Sequence, residues 1–523
     1  MGINNISIHG NIDKNQTKCK SSVKKPALVQ TTVLRKDTDG TAEIHYAIPN
    51  YGQAIVYIQN ADKIRPGTKL YTNDVQYRKN LLLNAGLRPQ DEYKIRSIVG
   101  TEELKDIMKE YNNNEMAYSS GKNLENVKSK KMRANLHIHT TASDGLMSVQ
   151  EILDKAAEYA DKVAKNNPKT NNAPFTIAIT DHDTVESAQE AIKIIAKNPQ
   201  KYKNLRVILG IEMTTFNDIG TNIVDMPTNT HVLVYGIDPN EKGFTNYLNK
   251  VKAKKNKIEK SMINSVNETY KKHYGIENFF DIKQAKKQFS PLKKDILGIY
   301  PNLNSYIQNK LIIEHILLKN EDILNELKKN NIPTDTNGFI DKFIEYRYKL
   351  DKNNRTLKPM QALPDFISAC TKTDSEKISE ILIKGFENKD FLNLYNEIQE
   401  KIDGYKLTLN SKYDYIPKFS DLADGLKTQD QVIIGLAHPL NTTTTIADKK
   451  DRYEFMEDLY SQFMKNFKNK AKFSEAYYQS YKPKMEDFKA EKSTKDFIDK
   501  ISEKYYLYKT GSQDTHGLNI FTR

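Results

Sequence analysis

Cysteine is scarce in this 523-residue chain: Cys19 and Cys370 are its two thiols, far apart and in no C-x-x-C spacing. That argues against a disulfide framework or a thiolate zinc site and fits a reducing compartment. Long apolar runs are missing as well. No stretch approaches the ~18 apolar residues of a membrane span, and the opening MGINNISIHGNIDKNQTKCK lacks the apolar core of a secretory signal. Myristoylation at Gly2 lacks its Ser or Thr, because Ile6 holds that position. The expectation is a cytoplasmic protein with no membrane partner.

What is plentiful is positive charge. The formal net charge is +13, which favours anionic partners such as nucleotides, RNA or anionic surfaces without choosing among them. An apolar fraction of 38% beside 28% charged residues describes a polar but globular chain. The length suits about three average domains, or one barrel carrying large insertions.

Residues 1–25 read as a disordered tail. Residues 26–130 read as an α+β appendage and linker: short strands with Asp39-Gly40 as a turn, then a helix including GTEELKDIMKEY. From residue 131 a strand–loop–helix pattern begins with ANLHIHTTASDGLMSVQEIL, in which Ser148 and Glu151 have capping-box spacing and Val149, Ile152, Leu153, Ala156 and Val163 form an apolar stripe. FTIAIT repeats the pattern, with Asp183 and Glu186 at the same capping distance. RVILGIEMTT, THVLVYGI, QVIIGLAHP and KYYLYKTGSQDTHG follow, each an apolar run with polar residues at its C-terminal end. Short, continuously apolar strands separated by helices predict an α/β fold with a parallel sheet buried on both faces.

His137 and His139 are two apart in a strand and share a face. With His182, His231, His438 and His516 they make six of the ten histidines, all assigned to strand C-terminal ends, accompanied by Asp144, Glu212 and Asp514. Each has an ordinary alternative, such as an exposed strand histidine, a helix cap for Asp183, or a hydrogen-bonded polar residue. Together they form a donor set of imidazole and carboxylate that suits Zn²⁺, Mn²⁺, Fe²⁺ or Co²⁺ and exceeds the needs of one ion. Adjacent divalent ions can clamp a phosphoryl group and activate water, so phosphoester hydrolysis is the natural reading.

The ordered motifs LHIHTTASDG, AITDHDTV, GIEMTT, HVLVYGID, LAHP and DTHG resemble the polymerase and histidinol phosphatase (PHP) domain phosphoesterases, over about 132–240 and 413–520. HTTASDG with AITDHDTV is most similar to the branch of nucleoside 3′,5′-bisphosphate phosphatases and 5′→3′ exoribonucleases. The resemblance implies a distorted seven-stranded (β/α)7 barrel over 131–523, interrupted by a mainly helical, Lys-rich insertion at 241–412. It also implies three divalent metal ions. His137, His139, Glu212 and Asp514 would hold one, Glu212 would bridge to a second at His231 and His438, and Asp144, His182 and His516 would hold the third. A bridging hydroxide would be the nucleophile, with Glu212, His231 and Asp514 as the catalytic positions. The substrate class implied is a phosphorylated small molecule, above all a nucleotide, or short RNA.

The chain departs from the family in several places. Asn135 replaces the usual Asp of the first strand; Pro439, Leu440 and Asn441 stand where the branch has P-G-R; Ser512, Gln513, Asp514, Thr515 and His516 replace G-S-D-x-H; and no Thr-Arg-x-His element occurs. Residues 241–300 contain 14 Lys against 6 acids. There Lys252, Lys254, Lys255 and Lys257 form either a solvated helix face or an RNA-recruiting patch. Tyr413, Tyr415 and Lys418 could border the site or simply pack, and His273 and His315 have no partnered spacing. Other readings are a phosphatase of another monoester such as histidinol phosphate, a non-catalytic PHP module, or an RNA-binding protein with a structural metal.

Overall fold

A computed structural model describes residues 31–36, 42–48, 52–58, 69–113, 134–166, 175–220, 223, 228–289, 302–352, 359–412, 417–443, 446, 448–478, 497–512 and 514–517. The tail at 1–25, Cys19, the Asp39-Gly40 turn, the linker at 114–133, Tyr413, Tyr415 and Gln513 lie outside these residues.

Strands β1 (Thr31–Lys36), β2 (Ala42–Ile48), β3 (Gly52–Ile58) and β4 (Lys69–Leu70) form an antiparallel sheet of order β3-β2-β1-β4. Helices α1 (Thr72–Asn84) and α2 (Thr101–Asn113) follow. The start of α2 is capped from α1, where the Asp74 carboxylate accepts from the backbone N–H groups of Glu102 and Glu103, both at 2.9 Å. Tyr77, Leu81, Leu82, Ile95 and Ile98 belong to the same buried cluster as the central sheet. Residues 97–99 also run beside the next sheet, with Val99 N–H on Val207 O at 2.9 Å and Val207 N–H on Ser97 O at 2.7 Å. The helical part of the N-terminal segment is therefore built into the core.

The central sheet has seven strands: β5 (Ala134–Ile138), β6 (Phe175–Ile179), β7 (Leu205–Asn217), β8 (Thr228–Tyr235), β9 (Ile433–Leu436), β10 (Ala471–Tyr478) and β11 (Tyr508–Ser512). They lie side by side in the order β11-β10-β9-β8-β7-β6-β5. The edges of this curled sheet meet just past β5 and β11, where His139 N–H donates to Thr515 O at 2.9 Å and Thr515 N–H to His137 O at 3.0 Å. Every residue of β5 and β6 is buried, which accounts for their largely apolar character; Asn135, His137 and Thr176 are the buried polar exceptions.

The sheet is mixed, not wholly parallel as the sequence suggested: β8 runs antiparallel to both β7 and β9. The connection from Asn217 to Thr228 is too short for a crossover helix, so β7 and β8 pair as a hairpin. Helix α3 (Val149–Asn166) begins at the expected capping box, with Ser148 N–H on Glu151 Oε2 at 2.8 Å and Glu151 N–H on Ser148 Oγ at 3.3 Å. Val149, Ile152, Leu153 and Ala156 are buried beneath it. The cap assigned to Asp183 is not made: α4 (Glu186–Lys197) starts after Val185 without a side-chain cap, and the Asp183 carboxylate is engaged elsewhere.

Between β8 and β9 lie α5 (Lys242–Tyr274), α6 (Ile282–Phe289), α7 (Asn302–Ile312), α8 (Glu321–Lys329), α9 (Thr336–Lys352), α10 (Pro359–Thr371), α11 (Ser375–Glu387), α12 (Lys389–Lys412) and α13 (Phe419–Gly425). Most share a second hydrophobic core running from Met262 to Ile402. Helix α5 spans both cores, with Phe244 and Leu248 against the sheet and Met262, Ile263 and Val266 in the helical layer. Helix α14 (Lys449–Phe467) returns to the sheet through Phe455, Leu459 and Phe463. Among the described residues, no helix is long and apolar enough to cross a membrane.

Candidate metal centre

The side chains that the sequence singled out converge at one end of the central sheet. His137 is the last residue but one of β5, His139 follows the strand, and both are fully buried. The next turn carries Asp144, and it closes tightly: Gly145 N–H donates to Thr140 O at 2.9 Å, and a Cβ at Gly145 would meet His139 O at 2.2 Å. His182 follows β6, His438 follows β9, and Asp514 and His516 follow β11. Two placements differ from the expected strand ends. Glu212 lies within β7, and His231 lies midway along β8, opposite Thr214. Because β8 is antiparallel, its beginning reaches the same end of the sheet as the finish of β6. Asp183, His438 and Asp514 all have left-handed backbones, with φ of 52°, 26° and 46°, a conformation that non-glycine residues keep only where the surroundings enforce it.

Glu212 is the hub. Its Oε1 lies 2.9 Å from His231 Nδ1 and 2.9 Å from His438 Nε2. Its Oε2 lies 3.0 Å from His137 Nε2, 3.2 Å from His139 Nε2 and 3.1 Å from His182 Nδ1. Five imidazole nitrogens thus face one carboxylate, which offers about four lone-pair positions. His182 Nδ1 makes no hydrogen bond despite its burial. The separations themselves lie in the range of ordinary hydrogen bonds; the surplus of nitrogens over lone pairs is what fits a set of donors for a shared cation. The rings themselves form a circuit, with centroids 5.0 Å apart for His137–His139, 4.5 Å for His139–His182, 5.2 Å for His182–His231 and 5.0 Å for His231–His438.

Asp514 Oδ1 lies 3.1 Å from His139 Nε2 and 3.4 Å from His137 Nε2, and Asp144 Oδ2 lies 3.1 Å from His516 Nε2 and 3.9 Å from His182 Nε2. Three overlapping groups emerge, each with ligand atoms within 4.8 Å of one another: His137, His139, Glu212 and Asp514; His139, Asp144, His182 and His516; and His182, Glu212 and His231. His139, His182 and Glu212 are each shared by two groups. His438 joins through its contact with Glu212.

The buried carboxylates and imidazoles set one another's charge. Burial opposes ionisation of Glu212, but His182, His137 and His231 hold its carboxyl well below the usual range. Burial likewise opposes ionisation of Asp514, yet His137, His516 and His139 keep it well below the usual value. Conversely, burial disfavours a charged His137, while Glu212, Glu475 and Asp514 raise it well above an ordinary imidazole. For His139 the same contest, with Asp514, Glu212 and Asp144 prevailing, gives about 10. His182 goes the other way, to about 4, because burial and the neighbouring His139 and His231 outweigh Glu212 and Asp144.

Several supporting residues were not singled out from sequence. Glu475, fully buried in β10, lies 3.2 and 3.3 Å from His137 Nδ1 and accepts from His438 N–H at 2.9 Å. Its signal was an acid in the middle of the apolar strand AKFSEAYY. Asp181 accepts from Thr140 N–H at 2.7 Å, Thr140 Oγ1 at 2.8 Å and Ser143 Oγ at 2.6 Å, pinning the loop between His139 and Asp144. Asn135, the departure in the first strand, donates to Thr515 Oγ1 at 2.9 Å and so ties β5 to the Asp514–His516 segment. Partners behind a ligand are commonly worth 10–100-fold in metal affinity. Glu475→Gln is accordingly expected to weaken divalent-ion binding ~10–100-fold in chelator competition, with the fold retained; unchanged affinity would mean that Glu475 does not orient His137.

Other candidates lie away from the cluster or serve it differently. His315 Nε2 is 3.0 Å from Tyr270 OH in the helical layer, and His273 pairs with Glu397 at 2.8 Å on the surface. Lys418 pairs with Asp218 at 2.7 Å and lines a cavity of about 640 Å³ with Tyr247, Lys250, Lys254 and Pro417. Lys255 corrects the reading of an exposed lysine patch: it is 3% exposed and bound to Asp183, whereas Lys254 and Lys257 are exposed.

No protein-family model matches the chain, and no curated protein matches it. Among solved structures, one from Bifidobacterium adolescentis, provisionally described as a metal-dependent phosphoesterase, shares 14% identity over 73% of this chain and 87% of its own, with a TM-score of 0.35. An amidohydrolase from Chromobacterium violaceum, with bound sulfate and no metal, shares 14% identity over 75% of this chain and 90% of its own, also at 0.35. At that TM-score the likeness decides nothing about chemistry, which rests on the geometry of the cluster.

Proposed function

We propose that the cluster is a multinuclear divalent-metal centre and the chain a metal-dependent phosphoesterase acting on nucleotides or short RNA. The observation that carries this reading is the arrangement of five imidazole nitrogens within 3.2 Å of the Glu212 carboxylate. In this proposal His137, His139, Glu212 and Asp514 hold one ion, Glu212 is shared with a second at His231 and His438, and Asp144, His182 and His516 hold a third. Mn²⁺, Zn²⁺ and Fe²⁺ suit such oxygen and nitrogen donors. Bound there, they supply Lewis acidity that lowers the pKa of water toward ~7 and neutralises phosphoryl charge.

The chain's own contribution is to hold these donors at the mouth of a packed sheet. Glu475 and Asp181 fix the backbone of His438 and of the loop after His139. A phosphate ester is favoured over other hydrolysable groups by the net charge of +13.

The test is metal analysis followed by turnover on a mononucleotide, a short RNA, histidinol phosphate and a simple phosphomonoester. Phosphate release that stops with chelator and returns with Mn²⁺ is the expected result. Failure of metal-replete protein to act on every member of the panel overturns the phosphoesterase reading. A KM that rises with salt for RNA but not for the mononucleotide marks the polymer as the substrate.

A further inference from the structure

Lys255 occupies a position where a helix in contact with a core ordinarily carries an apolar residue. Along α5, Val251, Lys255, Ile258 and Met262 follow one another at helical spacing, and all four are buried. The Lys255 ammonium meets the Asp183 carboxylate, and the two side chains are 4% and 5% exposed. Asp183 is held from β7 as well: its Oδ1 accepts from Thr214 N–H at 3.0 Å, its Oδ2 from Thr214 Oγ1 at 2.9 Å, and its own N–H donates to Glu212 O at 2.9 Å. It directly follows His182 and has a left-handed backbone. A non-glycine residue keeps that conformation only while its surroundings impose it.

We propose that Lys255 is a positioning residue through which helix α5 sets the place of His182: by gripping Asp183 it locks the turn after β6 against the strand that bears Glu212. The proposal rests on reading the cluster as a metal centre. Its consequence is that the inserted helical layer is coupled to one part of the centre, the groups that share His182, and not to the group of His137, His139, Glu212 and Asp514.

The experiment uses the full chain with Mn²⁺ or Co²⁺, and compares wild type with Lys255→Met, Lys255→Arg and the double variant Lys255→Met/Asp183→Asn. Lys255→Met should weaken one class of bound ion ~10–100-fold, the range seen for residues behind a ligand, while leaving a tighter class unchanged. It should also speed hydrogen exchange at residues 182–184. Lys255→Arg should restore part of both. Because Lys255→Met leaves a buried carboxylate unpaired, the double variant separates stability from positioning. Recovery of the melting temperature without recovery of the weakened ion supports the proposal. Recovery of both, or equal weakening of every ion in Lys255→Met, overturns it by showing that the lysine only neutralises Asp183. If wild type binds no divalent ion stoichiometrically, the metal reading fails. Exchange at 182–184 then still decides whether Lys255 holds that turn, and unchanged exchange in Lys255→Met refutes it.

Discussion

Glu212→Gln is expected to reduce phosphate release by more than ~100-fold, beyond the 10–100-fold typical of residues that only support a ligand, and to weaken at least two ions together. The reason is its place between five imidazoles: Oε1 serves His231 and His438, while Oε2 serves His137, His139 and His182. A neutral amide has one oxygen to offer, and its NH₂ group would point a donor at nitrogens meant to bind cations. Without metal, the variant also loses the negative charge that offsets its histidines, so the apo form should melt below apo wild type. Chelator-competition titration, phosphate release and thermal melting check the three parts. Loss of a single ion with a nearly normal rate would show that Glu212 does not join the groups.

The second large effect is expected from replacing His137 and His139 together with Ala. Both rings face the ligand group of Glu212 and Asp514, so that group loses two of its four donors, and with them its ion and detectable turnover. The fold should survive. Ala134, Leu136 and Ile138, the residues of β5 in the hydrophobic cores, are untouched, and the backbone bonds to Thr515 do not involve the rings. The lost partners cost some stability, on the order of 1–3 kcal/mol for each buried polar group left unsatisfied, a loss limited because Glu212 keeps His182, His231 and His438 and Glu475 keeps the His438 N–H. Turnover that persists at the wild-type rate in chelator-treated buffer would sink the catalytic assignment. A variant that no longer unfolds cooperatively would show that the pair is structural.

Much of the cluster was legible in the sequence. β6 and β9 were recognisable because each is buried on both faces and reads as a short, largely apolar run, and the α3 start because Ser148 and Glu151 have the spacing of a reciprocal cap. The ligand candidates were legible because His and acid side chains follow those runs. Glu475 was not, because a lone acid in a strand says nothing of what faces it across the sheet. Nor was the role of Lys255. In sequence it is one of a crowd of lysines; only the rotation of α5 turns it inward while Lys254 and Lys257 stay in solvent. Asp183 misled for a related reason: its spacing to Glu186 is that of a helix cap, yet Thr214 and Lys255 claim its carboxylate.

The sequence by itself determined which side chains are available for the chemistry and that most of them stand at or just past the ends of strands, Glu212 and His231 excepted, since local hydrophobic patterning is written residue by residue. Only the tertiary structure decided who meets whom. His137 and Asp514 are hundreds of residues apart and become neighbours because the edges of the seven-stranded sheet are bridged through Thr515. His231 reaches the cluster from the first half of its strand because a connection too short for a helix forces β8 to run antiparallel. Strand direction and the closing of a sheet depend on connection length and on packing between distant segments, and neither is encoded in any one stretch of residues.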